Sequence, residues 1–227
     1  MRKWKRDLLR LRQKIKQERN RINMTSQTLR EARKYEEASE KMIKQEERPD
    51  FHLSVRTGWM NDPNGFSYYN GQYHLFYQYN PYAPRWDSMH WGHAVTKDFL
   101  HWDYLPAALA PDEAYDRDGC FSGSALTLPD GRQLLMYTGV LRERKENGEH
   151  CDTQTQCLAV GDGVDYEKCA GNPVLDKNDI PEGSSVHDFR DPKMWQAEDG
   201  TYCCVVGNRP ADGSGQILLY TSPDGFQ

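Results

Sequence analysis

"GFSYYNGQYHLFYQY", residues 65–79, reads as two short apolar strands pinched around Asn70-Gly71. Asn-Gly between strand-forming residues marks a two-residue hairpin, because both central residues of that turn take positive φ. The pattern returns in "SALTLPDGRQLLMYTG" (124–139), turning at Asp130-Gly131, and in "PKMWQAEDGTYCCVVGN" (192–208), turning at Asp199-Gly200. Each hairpin is followed by a further strand-like element: "HAVTKDFLHW" (93–102), "LAVGDGVDYEK" (158–168) and "LLYTSPDGFQ" (218–227). The turn glycines Gly71, Gly131 and Gly200 lie 60 and 69 residues apart. A unit of about four strands returning at nearly constant spacing is how a β-propeller is written in sequence. Helical stretches between the strands are missing, which disfavours a parallel sheet of βαβ units. A closed propeller has about 4–8 blades. Only three units are visible before Gln227, so the expectation is an all-β chain carrying about the first three blade units.

Helices are expected only ahead of the strands. Residues 1–24 place Trp4, Leu8, Leu11, Ile15 and Ile22 on one stripe among basic side chains, the pattern of a basic helical extension. Thr28-x-x-Glu31 reads as a capping box opening a second helix within residues 25–49. Its inner face is expected to carry Leu29, Ala32, Tyr35 and Met42 or Ile43, and Pro49 to end it. Residues 50–227 form the β region.

Charge narrows the partners. The chain carries a net −5, but residues 1–24 hold ten Lys/Arg against Asp7 and Glu18, a net +8, leaving −5 − 8 = −13 for residues 25–227. An acidic body lacks the basic footprint that phosphate backbones require, so no nucleic-acid partner is expected. No apolar run approaches the roughly 18–20 residues needed to span a bilayer, so no membrane partner is expected either. The N-terminus lacks the apolar core of a signal peptide, which points to a cytoplasmic protein. The six cysteines include no C-x-x-C pair and read as reduced thiols, with Cys203 and Cys204 on opposite faces of one strand. His90, His93 and His101, spaced by three and eight, scatter across both faces of an extended segment, so neither metal nor cofactor is expected.

The chemistry gathers at two Asp-Pro steps. Asp62-Pro63 opens the first unit and Asp191-Pro192 the third, beside Asn61 and Arg190. Proline removes a ladder-donating amide and biases the preceding aspartate toward extended backbone. In a propeller the first strand of each unit lines the central funnel, so both carboxylates are expected to project into it. The alternative reading is that each Asp-Pro merely initiates a turn.

The segments "FHLSVRTGWMNDPNGFSYYNGQYHLFYQYNP" (51–81), "WGHAVTKDFLHW" (91–102), "FSGSA" (121–125) and "FRDPKMW" (189–195) resemble, in this order, the invertase-like β-fructofuranosidases of glycoside hydrolase family 32. "LREARKYEEASEKM" (29–42) is similar to the N-terminal helix of the bacterial sucrose-6-phosphate hydrolases. The resemblance spans residues 25–227 and implies a five-bladed β-propeller followed by a β-sandwich. It implies retaining hydrolysis of the terminal β-D-fructofuranoside bond of sucrose 6-phosphate or sucrose, with a sugar as the small-molecule partner. A cytoplasmic enzyme would meet sugar phosphorylated on import, which favours the phosphorylated substrate. Asp62 then matches the nucleophile and Asp191 the transition-state stabiliser, with Arg190 expected to hold Asp191 ionised. Asn61, Gln78, Trp86, Phe121 and Ser122 match the sugar-binding wall, where amides and hydroxyls meet sugar hydroxyls and aromatics cover the apolar face. His187 and Asp188 are expected as support or rim. The family's general acid is a glutamate in a Glu-Cys pair, and no such pair occurs in this chain. Glu182, in a Pro-Glu-Gly loop, and Glu198, in a hairpin turn, are poor substitutes. The expectation is therefore an inactive fragment that self-associates through open propeller edges. A non-catalytic carbohydrate-binding fragment and a fructan hydrolase or fructosyltransferase are the competing readings.

Overall fold

The structure, a computed structural model, describes residues 25–145 and 148–227. The amphipathic stripe read in residues 1–24 lies outside them. Among the described residues eleven strands follow Pro49 with no α-helix between them. They form three antiparallel sheets, each a simple meander. The first holds β1 (Trp59–Tyr69), β2 (Gln72–Asn80), β3 (His90–Thr96) and β4 (Asp103–Leu109). The second holds β5 (Gly119–Thr127), β6 (Gln133–Arg144), β7 (His150–Gly161) and β8 (Tyr166–Lys168). The third holds β9 (Arg190–Gln196), β10 (Tyr202–Asn208) and β11 (Gln216–Ser222). β1 packs beside β5 and β5 beside β9, so the leading strand of each sheet is the innermost one. That is the blade arrangement of a β-propeller.

Only the first hairpin is of the two-residue kind. Asn70 and Gly71 sit at φ 48° and 84°, and Tyr69 pairs directly with Gln72. The other two are longer: the Leu128 N–H bonds the Arg132 carbonyl and the Ala197 N–H the Thr201 carbonyl, each closing a three-residue loop. There only Gly131 and Gly200 take positive φ (85° and 89°), so Asp130 and Asp199 are not the left-handed partners that a two-residue turn needs.

Blade packing explains why the strands do not alternate. Every residue of β3 is buried, because both faces of a middle strand are covered. One core, with Phe76, Trp91, Leu109, Leu135 and Tyr137, fills the space between the first two sheets. A second, with Leu134, Met136, Leu158, Phe189 and Val206, fills the space between the second and third. Gly92 is required here, since a Cβ would lie 2.1 Å from the Tyr77 ring.

The one α-helix among the described residues, α1 (Gln27–Glu40), corrects the sequence reading in three ways. Ser26, not Thr28, caps it, accepting from the Leu29 N–H at 3.1 Å. It stops at Glu40, well before Pro49. Its buried stripe is Leu29, Ala32, Glu36 and Ser39, while Tyr35 and Met42 are 42% and 78% exposed. The reason is that α1 docks through charge as well as apolar contact. Glu36 accepts from the Ala107 N–H at 3.0 Å and pairs with Arg56 at 3.0 Å. Arg33 donates to the Ala107 carbonyl at 2.8 Å and reaches Asp165 of the second sheet at 2.6 Å. The helix is thus a strap across two blades. None of the described helices is long and apolar enough to cross a membrane.

Candidate active site

Each innermost strand breaks its ladder at the same depth. Pairing jumps from Met60↔Tyr79 to Pro63↔Tyr77, passing over Asn61 and Asp62. On β5 it jumps from Phe121↔Thr138 to Gly123↔Tyr137, passing over Ser122. On β9 it jumps from Arg190↔Gly207 to Lys193↔Val205, passing over Asp191 and Pro192. A bulge leaves residues unpaired and re-aims their side chains. Here three of them turn polar groups from three blades toward one funnel.

The expected backbone is corrected at one position. Asp191 is not extended but sits at φ 62°. Pro192 disfavours the right-handed helical region for its predecessor, and the bulge carries the aspartate over to positive φ, which Asp tolerates better than most residues. Such a conformation costs on the order of 1–3 kcal/mol and is held only where its surroundings enforce it. The enforcing contact is visible: the Asp191 N–H donates to Thr138 Oγ1 at 3.2 Å. Thr138 and Gln156 are fully buried, with Thr138 Oγ1 3.0 Å from Gln156 Oε1. Gln156 Nε2 in turn donates to the Phe189 carbonyl at 2.7 Å, so a polar chain beneath the site joins the second blade to the third.

Above it lies a cavity of about 580 Å³. Its lining includes all eight residues singled out from the sequence: Asn61, Asp62, Gln78, Trp86, Phe121, Ser122, Arg190 and Asp191. Ser122 Oγ donates to Asp62 Oδ2 at 3.4 Å, which fixes that carboxylate from the neighbouring blade. Asn61 Oδ1 accepts from Trp59 Nε1 at 2.8 Å, leaving its amide N–H groups for a ligand. Gln78 donates to the Cys120 carbonyl at 3.0 Å, leaving its own carbonyl as acceptor. Trp86 stands edge-on to Phe121 at 5.9 Å, and 46% of its surface remains open for an apolar face to cover.

Arg190 does less for Asp191 than expected. Burial in the concavity lifts the Asp191 carboxyl above its ordinary value, Arg190 pulls it down, and the charge of Asp62 adds to the lift. The arginine is engaged elsewhere, 3.0 Å from Asp188 and 3.3 Å from Gln154 Oε1, but 3.9 Å from Asp191. The Asp191 side chain still keeps 61% of its surface open to the funnel. The electrostatic effect of Asp62 on Asp191 fits their place on one cavity.

Sequence reasoning missed the wall supplied by the β6–β7 hairpin: Arg142, Lys145, His150, Cys151, Asp152 and Gln154. These strands, 12 residues each, outreach their neighbours and overhang the funnel. Arg142 and Asp152 are cross-strand partners joined by two bonds of 2.7 and 2.8 Å, and the arginine holds that carboxyl below its ordinary range. "RERKENGEHCDTQ" reads as solvated hairpin, because nothing local tells which of its polar faces turns inward; only the pairing register does. His187 and Asp188 line the cavity rim, His187 against the Asp152 carbonyl and Asp188 paired to Arg190 and, at 3.3 Å, to Arg209. Asp152, held as a carboxylate by Arg142, is therefore poorly suited to donate a proton, and Asp188 is taken up by its two guanidinium partners. Glu182 and Glu198 line no part of this cavity. Among the described residues no three metal-ligating side chains gather. His93 bonds His74 at 2.9 Å, His90 the Ser88 carbonyl, and His101 pairs with exposed Asp98 at 2.7 Å.

Comparison with known proteins gives a coherent set. The family model for the N-terminal domain of glycosyl hydrolases family 32 matches residues 52–227. The chain is 47% identical over 175 residues to raffinose invertase of Escherichia coli, covering 76% of this chain and 34% of that protein. It is 43% identical over 190 residues to sucrose-6-phosphate hydrolase of Zymomonas mobilis, covering 82% of this chain and 36% of the other. Among solved structures, a family 32 beta-fructofuranosidase of Bombyx mori superposes with a TM-score of 0.75 at 41% identity, covering 87% of this chain and 40% of that one. A mutant of that silkworm protein is solved in complex with sucrose. The chain spans about a third of the length of the curated relatives it matches.

Proposed function

Because the chain belongs to glycosyl hydrolase family 32, we propose that its cavity is the fructosyl-binding part of a β-fructofuranosidase site acting on sucrose 6-phosphate or sucrose. One observation carries the reading: bulges in the first and third innermost strands bring Asp62 and Asp191 to one cavity, beside Asn61, Gln78 and Ser122. Asp62, steadied by Ser122, attacks the anomeric carbon of the fructosyl unit as the glycosidic bond breaks. The resulting ester is then released by water with retention of configuration. Asp191 supports the oxocarbenium-like charge that develops on the ring, an interaction stronger in the transition state than in the ground state. Trp86 and Phe121 cover the apolar face of the sugar. Residues 50–227 serve as the leading part of a five-bladed propeller, residues 25–49 as its strap, and a cytoplasmic location fits a phosphorylated substrate.

A second reading follows from the proton donor. Among the described residues the carboxyls on the cavity are the proposed nucleophile Asp62, the proposed stabiliser Asp191, and the arginine-paired Asp152 and Asp188. Without an acid the leaving oxygen departs unprotonated, which forfeits on the order of 10²–10⁴ in rate. The described residues by themselves therefore bind sugar without turning it over. The test is calorimetric titration of the 227-residue chain with sucrose, sucrose 6-phosphate and inulin, alongside an assay for glucose or glucose 6-phosphate release. Binding weakened by Asn61→Ala, with no release, is the expected result. Release abolished by Asp62→Ala would show that another carboxyl of this chain acts as the acid. Turnover of inulin in preference to either sucrose would favour a fructan hydrolase.

A further inference from the structure

Two glutamines on β7 receive the start of the third blade, and they do so unequally. Gln154 and Gln156 stand two residues apart on one strand, so their side chains share a face. Between them they take both backbone groups of Phe189. Gln154 Oε1 accepts from its N–H at 3.1 Å, and Gln156 Nε2 donates to its carbonyl at 2.7 Å. Gln156 uses both ends of its amide, since its Oε1 also accepts from Thr138 Oγ1. Gln154 uses only one end, its Oε1 taking a second bond from Arg190 Nη1 at 3.3 Å. Both of these partners can only donate, so the amide has a single orientation, oxygen toward the third blade and nitrogen away from it. Among the described residues nothing accepts from that nitrogen. The next side chain along this face, Asp152, is taken by Arg142. Gln154 is only 3% exposed, yet it lines the cavity, and its nitrogen is not sealed from solvent. The surface it keeps is therefore that of a free N–H donor facing the funnel.

We propose that Gln154 is a further sugar-binding residue, its amide N–H donating to a hydroxyl oxygen of the bound sugar while its carbonyl holds Phe189 and Arg190. The proposal rests on the reading of the cavity as a sugar site. A neutral hydroxyl suits this donor better than an anion, because Asp62, Asp188 and Asp191 line the same cavity and repel negative charge. The donor is also pre-organised. Its side chain is already buried and its amide pinned, so the bond forms without freezing a free rotamer. Asn61 offers amide N–H groups from the first blade and Gln78 a carbonyl, and Gln154 adds a donor from the second. A ligand lacking the matching hydroxyl would leave a nearly buried N–H unpaired, which costs more than the bond itself is worth. Gln154 thus discriminates a hydroxyl from its absence, the kind of selection that a site built on hydrogen bonds makes sharply.

The experiment measures binding of sucrose and its monodeoxy analogues to the Asp62→Ala chain by calorimetric titration, so that turnover plays no part. One analogue should bind about tenfold more weakly than sucrose through loss of its bond to Gln154. In Gln154→Met that analogue and sucrose should bind within about twofold of each other, the penalty having vanished with the donor. Gln154→Glu keeps an acceptor for the Phe189 N–H and for Arg190 but has no N–H, so it holds the third blade in place and should erase the same penalty. Circular dichroism and urea midpoints check that both variants are folded. A purely structural role would weaken sucrose and every analogue by one common factor and leave each penalty as it was in the parent; that result overturns the assignment. Failure of the underlying reading looks different. If the parent binds no sucrose, or binds it with an affinity indifferent to Asn61→Ala, the sugar site itself is wrong and the role of Gln154 falls with it. Binding that depends on Asn61, with penalties unchanged in both Gln154 variants, removes Gln154 alone.

Discussion

His90 offers a direct test of the packing. It is fully buried on β3, its Nδ1 against the Ser88 carbonyl and its Nε2 without a partner. Burial is the main cause that lowers its pKa from 6.5 to about 4. A base with a lowered folded-state pKa contributes stability that is fully present above 6.5. That contribution is lost as pH falls toward 4, because the unfolded chain binds a proton the folded one refuses. The difference of 2.5 units amounts to about 3 kcal/mol at 1.36 kcal/mol per unit. Against a total stability of roughly 5–15 kcal/mol that is a large share. His93, fully buried beside His74, is shifted the same way, as is His74, so the effect of His90 is one part of a steeper acid limb. Urea unfolding followed by tryptophan fluorescence at pH 7.5, 6.0, 5.0 and 4.2 measures it. The His90→Gln chain should lose stability less steeply than the parent across the window from 6.5 to 4, by close to one proton in slope. Carboxylates common to both chains cancel in the comparison. Equal slopes would mean that His90 is hydrated or charged in the folded state, and the packing of β3 against its neighbours would have to be redrawn.

Other substitutions probe the strap and the support beneath the site. Arg56→Ala leaves Glu36 buried and deprived of its guanidinium, so a loss of about 3–5 kcal/mol is expected in urea unfolding; a loss under 1 kcal/mol would mean that α1 is not docked through this pair. Thr138→Val keeps the shape but removes the acceptor of the Asp191 N–H, and should cost about 1–3 kcal/mol and weaken sucrose binding. Unchanged affinity would show that Asp191 holds its position without the threonine. On the third sheet, Ile217 and Leu219 are 75% and 64% exposed along β11, and the chain should associate as concentration rises. Ile217→Lys with Leu219→Lys should return it to monomer in sedimentation velocity; persistence of the larger species would place the contact elsewhere.

The legible part of the fold was the part written in turn chemistry. Asn70-Gly71 can satisfy a two-residue turn, and the structure uses it so. Asp130-Gly131 and Asp199-Gly200 spell the same device, yet their hairpins close one pair further out, because only the glycine goes left-handed. The hairpin was visible; its length was not. Helix α1 departs from its expected face for a different reason. Its inward stripe contains Glu36, whose burial rests on Arg56 and the Ala107 N–H, partners distant in sequence. No apolar periodicity announces a helix that docks by its charges.

The site divides along the same line. Asn61, Asp62, Ser122, Arg190 and Asp191 could be singled out because each lies in a short motif on an innermost strand. The wall from Arg142 to Gln154 could not, because its inward face depends on how β6 pairs with β7. What neither motif nor period discloses is why the motifs coincide in space. A regular strand beside the funnel would direct only every second side chain inward and keep all its amides in the ladder. Three bulges at one depth release residues from the ladder instead, two at a time on β1 and β9 and Ser122 alone on β5, so that Asn61 and Asp62 both reach the cavity from a single strand. On β9 the same device needs a left-handed aspartate, which the buried Thr138–Gln156 chain holds in place from the next blade. The blade repeat supplies three equivalent positions, and the departure from regular pairing at each one supplies the chemistry. Straightening any of them would return a site residue to the ladder, which is why the polar support lies under the bulges and not under the straight parts of the strands.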